Sequence, residues 1–243
     1  MVWISNGDTG LSVRTKLNTI PNDGASYTAS ATTALSSLPW YPPAVAGSLD
    51  DEFLAGSLDT GRWTWVNQST RTATLTNSNC TLTFPTAGAT DNWGHIVQTA
   101  PGTPWTVVSK IGWAGTTSSN FTYGAIIARE SSTGKFLNFG FDNVGIASNY
   151  WTNNTTYSAG IQSYAYGTWP GPSRGEYGYF KLQDNGTNII LSFSQTGITY
   201  TQVASVSRTA FMASGPNQVG LGIGANIASG TANIDVDFFR RTQ

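Results

Sequence analysis

The chain is short of charge. Only 10% of its 243 residues are Asp, Glu, Lys or Arg, against roughly 25% in an average domain. Long solvated helices carry Lys and Glu on their outer faces, so the deficit disfavours them. No basic run exists to meet a phosphate backbone or an anionic membrane, and nucleic acid is not an expected partner. Cys80 is the single cysteine, which rules out an intrachain disulfide and reads as a small buried strand residue beside Leu82 and Phe84. His95 is the single histidine and has no companion in an H-x-H, E-x-x-H or C-x-x-C pattern, so neither a metal site nor a nucleophilic triad has its partners. No stretch approaches the ~20 apolar residues of a membrane span. The start, MVWISNGDTG, lacks the basic and apolar regions of a signal peptide, so the expectation is synthesis in a cytosol and no membrane insertion.

What the chain has instead is Gly, with 27 copies, together with abundant Thr, Ser and Asn, a composition that suits many strands joined by turns. The stretch Tyr177 to Val203 shows the pattern most clearly. Phe180 and Leu182 alternate with Tyr179, Lys181 and Gln183. Asp184-Asn185-Gly186-Thr187 then supplies residues that accept positive φ in a tight turn. Ile189, Leu191 and Phe193 alternate with polar residues before Gln195-Thr196-Gly197 turns the chain again into an expected strand from Ile198 to Val203. Three antiparallel strands with one apolar face need a second layer to cover it.

Similar alternation recurs at Cys80, Leu82 and Phe84, at Trp105, Val107, Ile111 and Trp113, and in the runs Tyr123 to Ala128 and Phe136 to Phe141. Val219, Leu221 and Ile223 alternate with Gly220, Gly222 and Gly224, so something must approach that bare face closely. Ile234, Val236 and Phe238 share one face of a last strand expected to close the sheet.

Residues 1–24 differ. After Asp8 and Thr9, LSVRTKLNTI places Val13, Leu17 and Ile20 at i, i+4 and i+7, and Pro21 ends the run. A helix of about ten residues is marginal alone, so this stripe is expected to dock on another protein or on its own copies. Residues 25–48, with Pro39, Pro42 and Pro43, read as an extended linker, leaving 49–243 for the sandwich.

Two resemblances follow from these residues. The segment Gly7-Asp8-Thr9-Gly10-Leu11-Ser12-Val13-Arg14-Thr15-Lys16-Leu17-Asn18 resembles a short stretch near the start of many tailed-bacteriophage tail-fibre and baseplate proteins. The run from Phe53 to Arg240 resembles the concanavalin A-like lectin and glucanase superfamily, carried by FLAGSLDTGRWTW, the central hairpins and the closing VGLGIG with ANIDVDFFR. The first implies a virion location, other virion proteins as partners through residues 1–24 and, by analogy with fibres, a homotrimer. The second implies an all-β, two-sheet antiparallel jelly-roll sandwich.

A retaining glycosidase needs two carboxylates about 5 Å apart, and glucanases of this superfamily place them as E-x-D-x-E or E-x-D-x-x-E. Glu52, Glu130 and Glu176 are the only glutamates and none fits. Asp235 and Asp237 share a face but read as structural. Absence of catalysis is therefore the expectation. The rival readings are a depolymerase pairing Glu176 with an Asp brought near by folding, and a purely structural decoration or adaptor protein. Asp142-Asn143 and Asn153-Asn154 show no ordered calcium-ligand spacing, so no metal and no cofactor are expected. The remaining candidate surface is aromatic. Tyr150, Trp151, Tyr157, Tyr164, Tyr166 and Trp169, with Trp93 outlying, sit among Asn, Thr and Ser, which is what a sugar ring needs for stacking and hydroxyl pairing. The same composition also suits subunit contacts or loop packing.

Overall fold

Strand formation follows the alternation read above, and the computed structural model describes residues 49–76, 78–113, 121–168 and 176–242. Trp169 and the expected helix with Val13, Leu17 and Ile20 lie outside the described residues, as does the expected linker. Twelve strands make up the described part: β1 (Thr64–Val66), β2 (Thr72–Thr76), β3 (Asn79–Thr99), β4 (Trp105–Trp113), β5 (Thr122–Arg129), β6 (Phe136–Asp142), β7 (Gly145–Asn153), β8 (Thr156–Ala165), β9 (Tyr177–Asp184), β10 (Asn188–Ser194), β11 (Thr201–Ser207) and β12 (Gln218–Thr242). Every pairing among them is antiparallel.

Two long strands organise the whole. In β12, Gln218 to Ala225 pair with β5 and with Asn92 to Thr99 of β3, whereas Ala232 to Val236 pair with Cys80 to Phe84 of β3 and Ile234 to Thr242 pair with β4. Register shifts at Ala225/Ile227 and Ile227/Ser229 mark where β12 passes from one layer to the other, since a bulge bends its strand and increases the local twist. The twelve strands thus form two seven-stranded sheets that share β3 and β12. The first runs β11-β10-β9-β4-β12-β3-β2 and the second β8-β7-β6-β5-β12-β3-β1. This is the expected jelly-roll sandwich. The final segment differs from expectation, however: Val219–Ile223 and Ile234–Val236 belong to one central strand and not to a closing edge.

Between the sheets lies the main core. The central hairpins supply Phe180, Leu182, Ile189, Leu191 and Phe193, and β6 of the opposite sheet supplies Leu137, Phe139 and Phe141, all essentially without exposure. Phe180 meets Phe139 and Phe141 at 5.1 and 4.9 Å between ring centroids, edge-to-face contacts that favour a fixed arrangement. Leu182 stands opposite Leu191 and Phe180 opposite Phe193, so β9 and β10 present one continuous apolar face. The turns come where Gly186 and Gly197 adopt φ of 91° and 76°. After the second turn the strand begins at Thr201, later than expected, because Ile198 sits exposed in the loop.

Cys80 is fully buried beside Leu82 and Phe84 as expected, and burial pushes its thiol up to about 12. Asp235 accepts a hydrogen bond from Thr81 Oγ1 at 2.6 Å and Asp237 pairs with Lys110 at 2.8 Å. Phe238 departs from the expected face. A bulge between Val236 and Phe238 inserts Asp237 into the register, so Phe238 stands opposite Lys110, under the guanidinium of Arg240, while Phe239 takes the core position against Trp63.

Candidate functional site

The second sheet is buried on both of its faces. Strands β5 and β6, TYGAIIAR and FLNFGFD, are apolar on both faces apart from Asn138 and the end residues Thr122, Arg129 and Asp142, and nearly every residue in them is buried, which requires cover on the outside as well. Tyr123, Ala125 and Ile127 of β5 and Phe136 of β6 point away from the main core and join Trp93, Val97 and Trp151 in a separate cluster. Trp93 stacks on Tyr123 at 5.1 Å and meets Trp151 edge-on at 5.6 Å, while Phe136 packs on Trp151 at 6.0 Å.

The bare glycine face of β12 explains how this cluster fits. A Cβ on Gly224 would stand 2.6 Å from Trp93 Cδ2, and one on Gly222 would stand 2.8 Å from His95 Nδ1. The group that approaches the glycines is thus the neighbouring strand's own Trp93 and His95. Opposite, three register shifts bend the β7–β8 hairpin so that its tip reaches β3, with Trp93 N donating to Asn154 O at 2.8 Å. Four strand steps separate β3 from β7 in the sheet, roughly 19 Å if it were flat, so the sheet must curl strongly over its outer face.

His95 is fully buried in this closure, with Nε2 3.2 Å from Asn154 Oδ1. Burial is the main reason its pKa falls to about 3, and Arg129 and Arg71 act in the same direction. The imidazole is therefore neutral. With Nε2–H donating to Asn154, Nδ1 is left as an acceptor without a partner. Trp151 Nε1 donates to Asn138 Oδ1 at 2.9 Å.

Beyond the cluster the same face opens into a groove of about 740 Å³. Tyr123 is shared between the two. Phe121 stacks on it at 6.0 Å with planes 5° apart. Asp91 and Asn226 stand on one side, Asp142 and Asn149 further across, and Tyr157, Gly160 and Gln162 of β8 form the far wall. Burial raises the Asp91 carboxyl above its ordinary range, with a hydrogen bond from Asn226 acting the other way. Asp142 is likewise raised by burial, although its Oδ1 accepts from Val144 N and Gly145 N at 2.8 Å each. The Tyr123 hydroxyl is held protonated by burial first, then by Asp91, Asp142 and Tyr157.

The residues singled out in the sequence fall into three groups. Trp93 and Trp151 are fully buried, so they pack behind Tyr123 and Tyr157 of the groove wall and offer no face to a ligand; the polar neighbours that made them look exposed lie along the hairpin that covers them. Tyr150 packs on Phe211 at 4.6 Å, and Tyr166 packs on Phe141 while its hydroxyl donates to Asp142 O at 3.0 Å. Tyr164 lies on β8, half-buried. Tyr157 alone of the described candidates is both exposed, at 48%, and in the groove wall. Asp91, Phe121, Tyr123, Asn149 and Gln162 are not singled out by the sequence, and Asp142 stands out there only as a calcium ligand without ordered companions. The signal for them was the apolar character of both faces of β5 and β6, which demands a second covered face. Among the described residues no group of three or more His, Cys, Asp or Glu is placed to hold a metal ion.

No protein-family model matches the chain, and no curated protein does. Solved structures do match. The GH43 protein BlXynB from Bacillus licheniformis superposes with a TM-score of 0.55 at 14% identity over 83% of this chain, which spans only 40% of that protein. A beta-1,3-glucanase from Mycobacterium marinum matches with TM-score 0.52 and 15% identity, over 82% of this chain and 100% of its own. The VIP36 exoplasmic/lumenal domain in its Ca2+/Man2-bound form matches with TM-score 0.51 and 10% identity, over 80% of this chain and 87% of its own. The expectation of no catalysis is corrected by these likenesses: the matched structures include a GH43 protein, a xylan beta-1,4-xylosidase and a beta-1,3-glucanase, so the fold does not exclude glycoside hydrolysis. At such identities what is shared is the fold, a two-sheet antiparallel jelly-roll sandwich.

Proposed function

We propose that the groove on the outer face of the second sheet recognises glycans. The observation that carries this reading is the pair of exposed aromatic faces, Phe121 at 49% and Tyr157 at 48%, set around a concave surface of amide, hydroxyl and carboxyl groups. Sugar rings stack their C–H faces on such rings and pair their hydroxyls with such groups. Support also comes from the company of the fold, which includes a domain solved with Man2 and a beta-1,3-glucanase.

The test is a glycan array with the full chain, followed by titration of the best binder against Tyr157→Ala and Phe121→Ala. Each variant is expected to bind at least about tenfold more weakly, or 1.4 kcal/mol, while melting as the wild type does. An array without any binder, or variants that bind unchanged, would remove the reading. New reducing ends in the same incubations would identify hydrolysis in addition to recognition.

The setting we propose is a bacteriophage virion, as part of the tail, its fibres or its baseplate, with residues 1–24 docking the sandwich to neighbouring virion proteins or to its own copies in a trimer. Support rests on the resemblance of residues 7–18 to tail-protein segments. Deleting residues 1–24 is expected to abolish incorporation into particles or to change the oligomeric state; a deletion that alters neither counts against the setting.

A further inference from the structure

Among the described residues the groove has carboxylates and no cation. Its described lining holds Asp91 and Asp142 and no Lys, Arg or His, whereas the cations on the first sheet already lie over rings or against carboxylates. Asp91 is the less satisfied of the two. Asn226 supplies a hydrogen bond to its carboxylate, yet Oδ1 is buried without any partner. That atom is closed off from the groove, so a ligand donor meets Asp91 through the part of its side chain that lines the groove.

On the strength of the glycan reading above, we propose that the groove selects sugars carrying a free amine, with the ammonium group seated between the Asp91 carboxylate and the exposed aromatic faces of Phe121 and Tyr157. Three features of the site converge on that chemistry. A charged donor makes a hydrogen bond to a carboxylate about twice as strong as a neutral hydroxyl does. Ring faces attract cations, and more so where water is displaced. A uronate or sialate would instead meet two like charges, a juxtaposition that rejects ligands. Burial holds both carboxyls above their ordinary range, as expected of a site that lacks positive charge until its ligand arrives.

The experiment uses the full chain on an array of neutral, N-acetylated, uronate-containing and free-amine oligosaccharides that share backbones, followed by calorimetric titration of matched glucosamine and N-acetylglucosamine oligomers. The free-amine form is expected to bind at least about tenfold tighter than its N-acetylated match. Asp91→Asn should reduce that preference to less than about twofold. Equal affinity, or preference for N-acetylated or acidic sugars, overturns the inference and leaves glycan recognition standing. An array with no binder removes both. If Asp91→Asn does not fold, the wild-type preference decides alone.

Discussion

On the outer face of the first sheet, Lys110 lies 4.9 Å over Tyr177 and 5.9 Å over Tyr179, Lys181 lies over Tyr200, and Arg240 lies over Phe238 while pairing with Glu52. On the outer face of the second sheet the rings lie against each other, a neutral histidine is sealed among them, and the groove's carboxylates have no cation facing them among the described residues. The first face satisfies its charges internally and keeps them near water, where such pairs add little each. The second is dry at one end and open at the other. Surface aromatics are thus no guide to a binding face by themselves. What distinguishes the second face is curvature, an unfilled volume and an unpaired acceptor.

The contrast predicts unequal responses to mutation. Trp151→Ala empties a fully buried site and is expected to cost about 3 to 5 kcal/mol in urea unfolding, with loss of groove binding; a cost under about 1 kcal/mol would mean that the outer cluster is not a second core. Acid should separate the faces next. His95 has a folded pKa of about 3 against 6.5, so the unfolded chain takes up the proton first. The stability present above pH 6.5 is then lost progressively down to about pH 3, by roughly 2 to 3 kcal/mol between pH 6.5 and 4.5. Asp91 and Asp142, both raised, act with the opposite sign. His95→Gln should therefore reduce the acid loss, and an unchanged pH profile would show that His95 is not the titrating group.

Gly224→Ala drives a methyl into Trp93 and is expected to destabilise by about 1 to 3 kcal/mol. The same measurement on Gly56→Ala, where a Cβ meets nothing within 4 Å, gives the baseline. The smallest effect belongs to the first sheet: Lys110→Gln removes an exposed ion pair and its ring contacts, worth less than about 1 kcal/mol, and should leave glycan binding untouched. A loss of binding in that variant would move the functional face to the first sheet.

Most of the sandwich was legible from alternation, because one buried face against one solvated face is what a period of two encodes. Phe180, Leu182, Ile189, Leu191 and Phe193 all fall in the core as that pattern requires. Two things were not. A single inserted residue, Asp237, exchanges the places of Phe238 and Phe239, and no local composition announces a bulge. The outer cluster depends on a hairpin crossing over from four strands away, so Trp93 and Trp151 are buried by a contact remote in sequence. Tyr157 was legible because it lies on the exposed edge strand β8; Asp91 and Asp142 were not, since only the curl of the sheet gathers them around Tyr123.

Strand β12 occupies the middle of both sheets, and it is the last of the twelve to leave the ribosome. Until residues 218–242 are available, β5 has no neighbour towards β3, and β4 none towards β3, so neither sheet is more than two separate halves. The hairpins from β4 to β11 can pair early, yet each would expose its unpaired inner edge, the kind of edge that recruits other chains. A nascent chain of this kind depends on a late, nearly simultaneous closure of both layers, and stalling synthesis before residue 218 should leave it protease-sensitive and prone to aggregate, whereas release past residue 242 should complete the fold in one step.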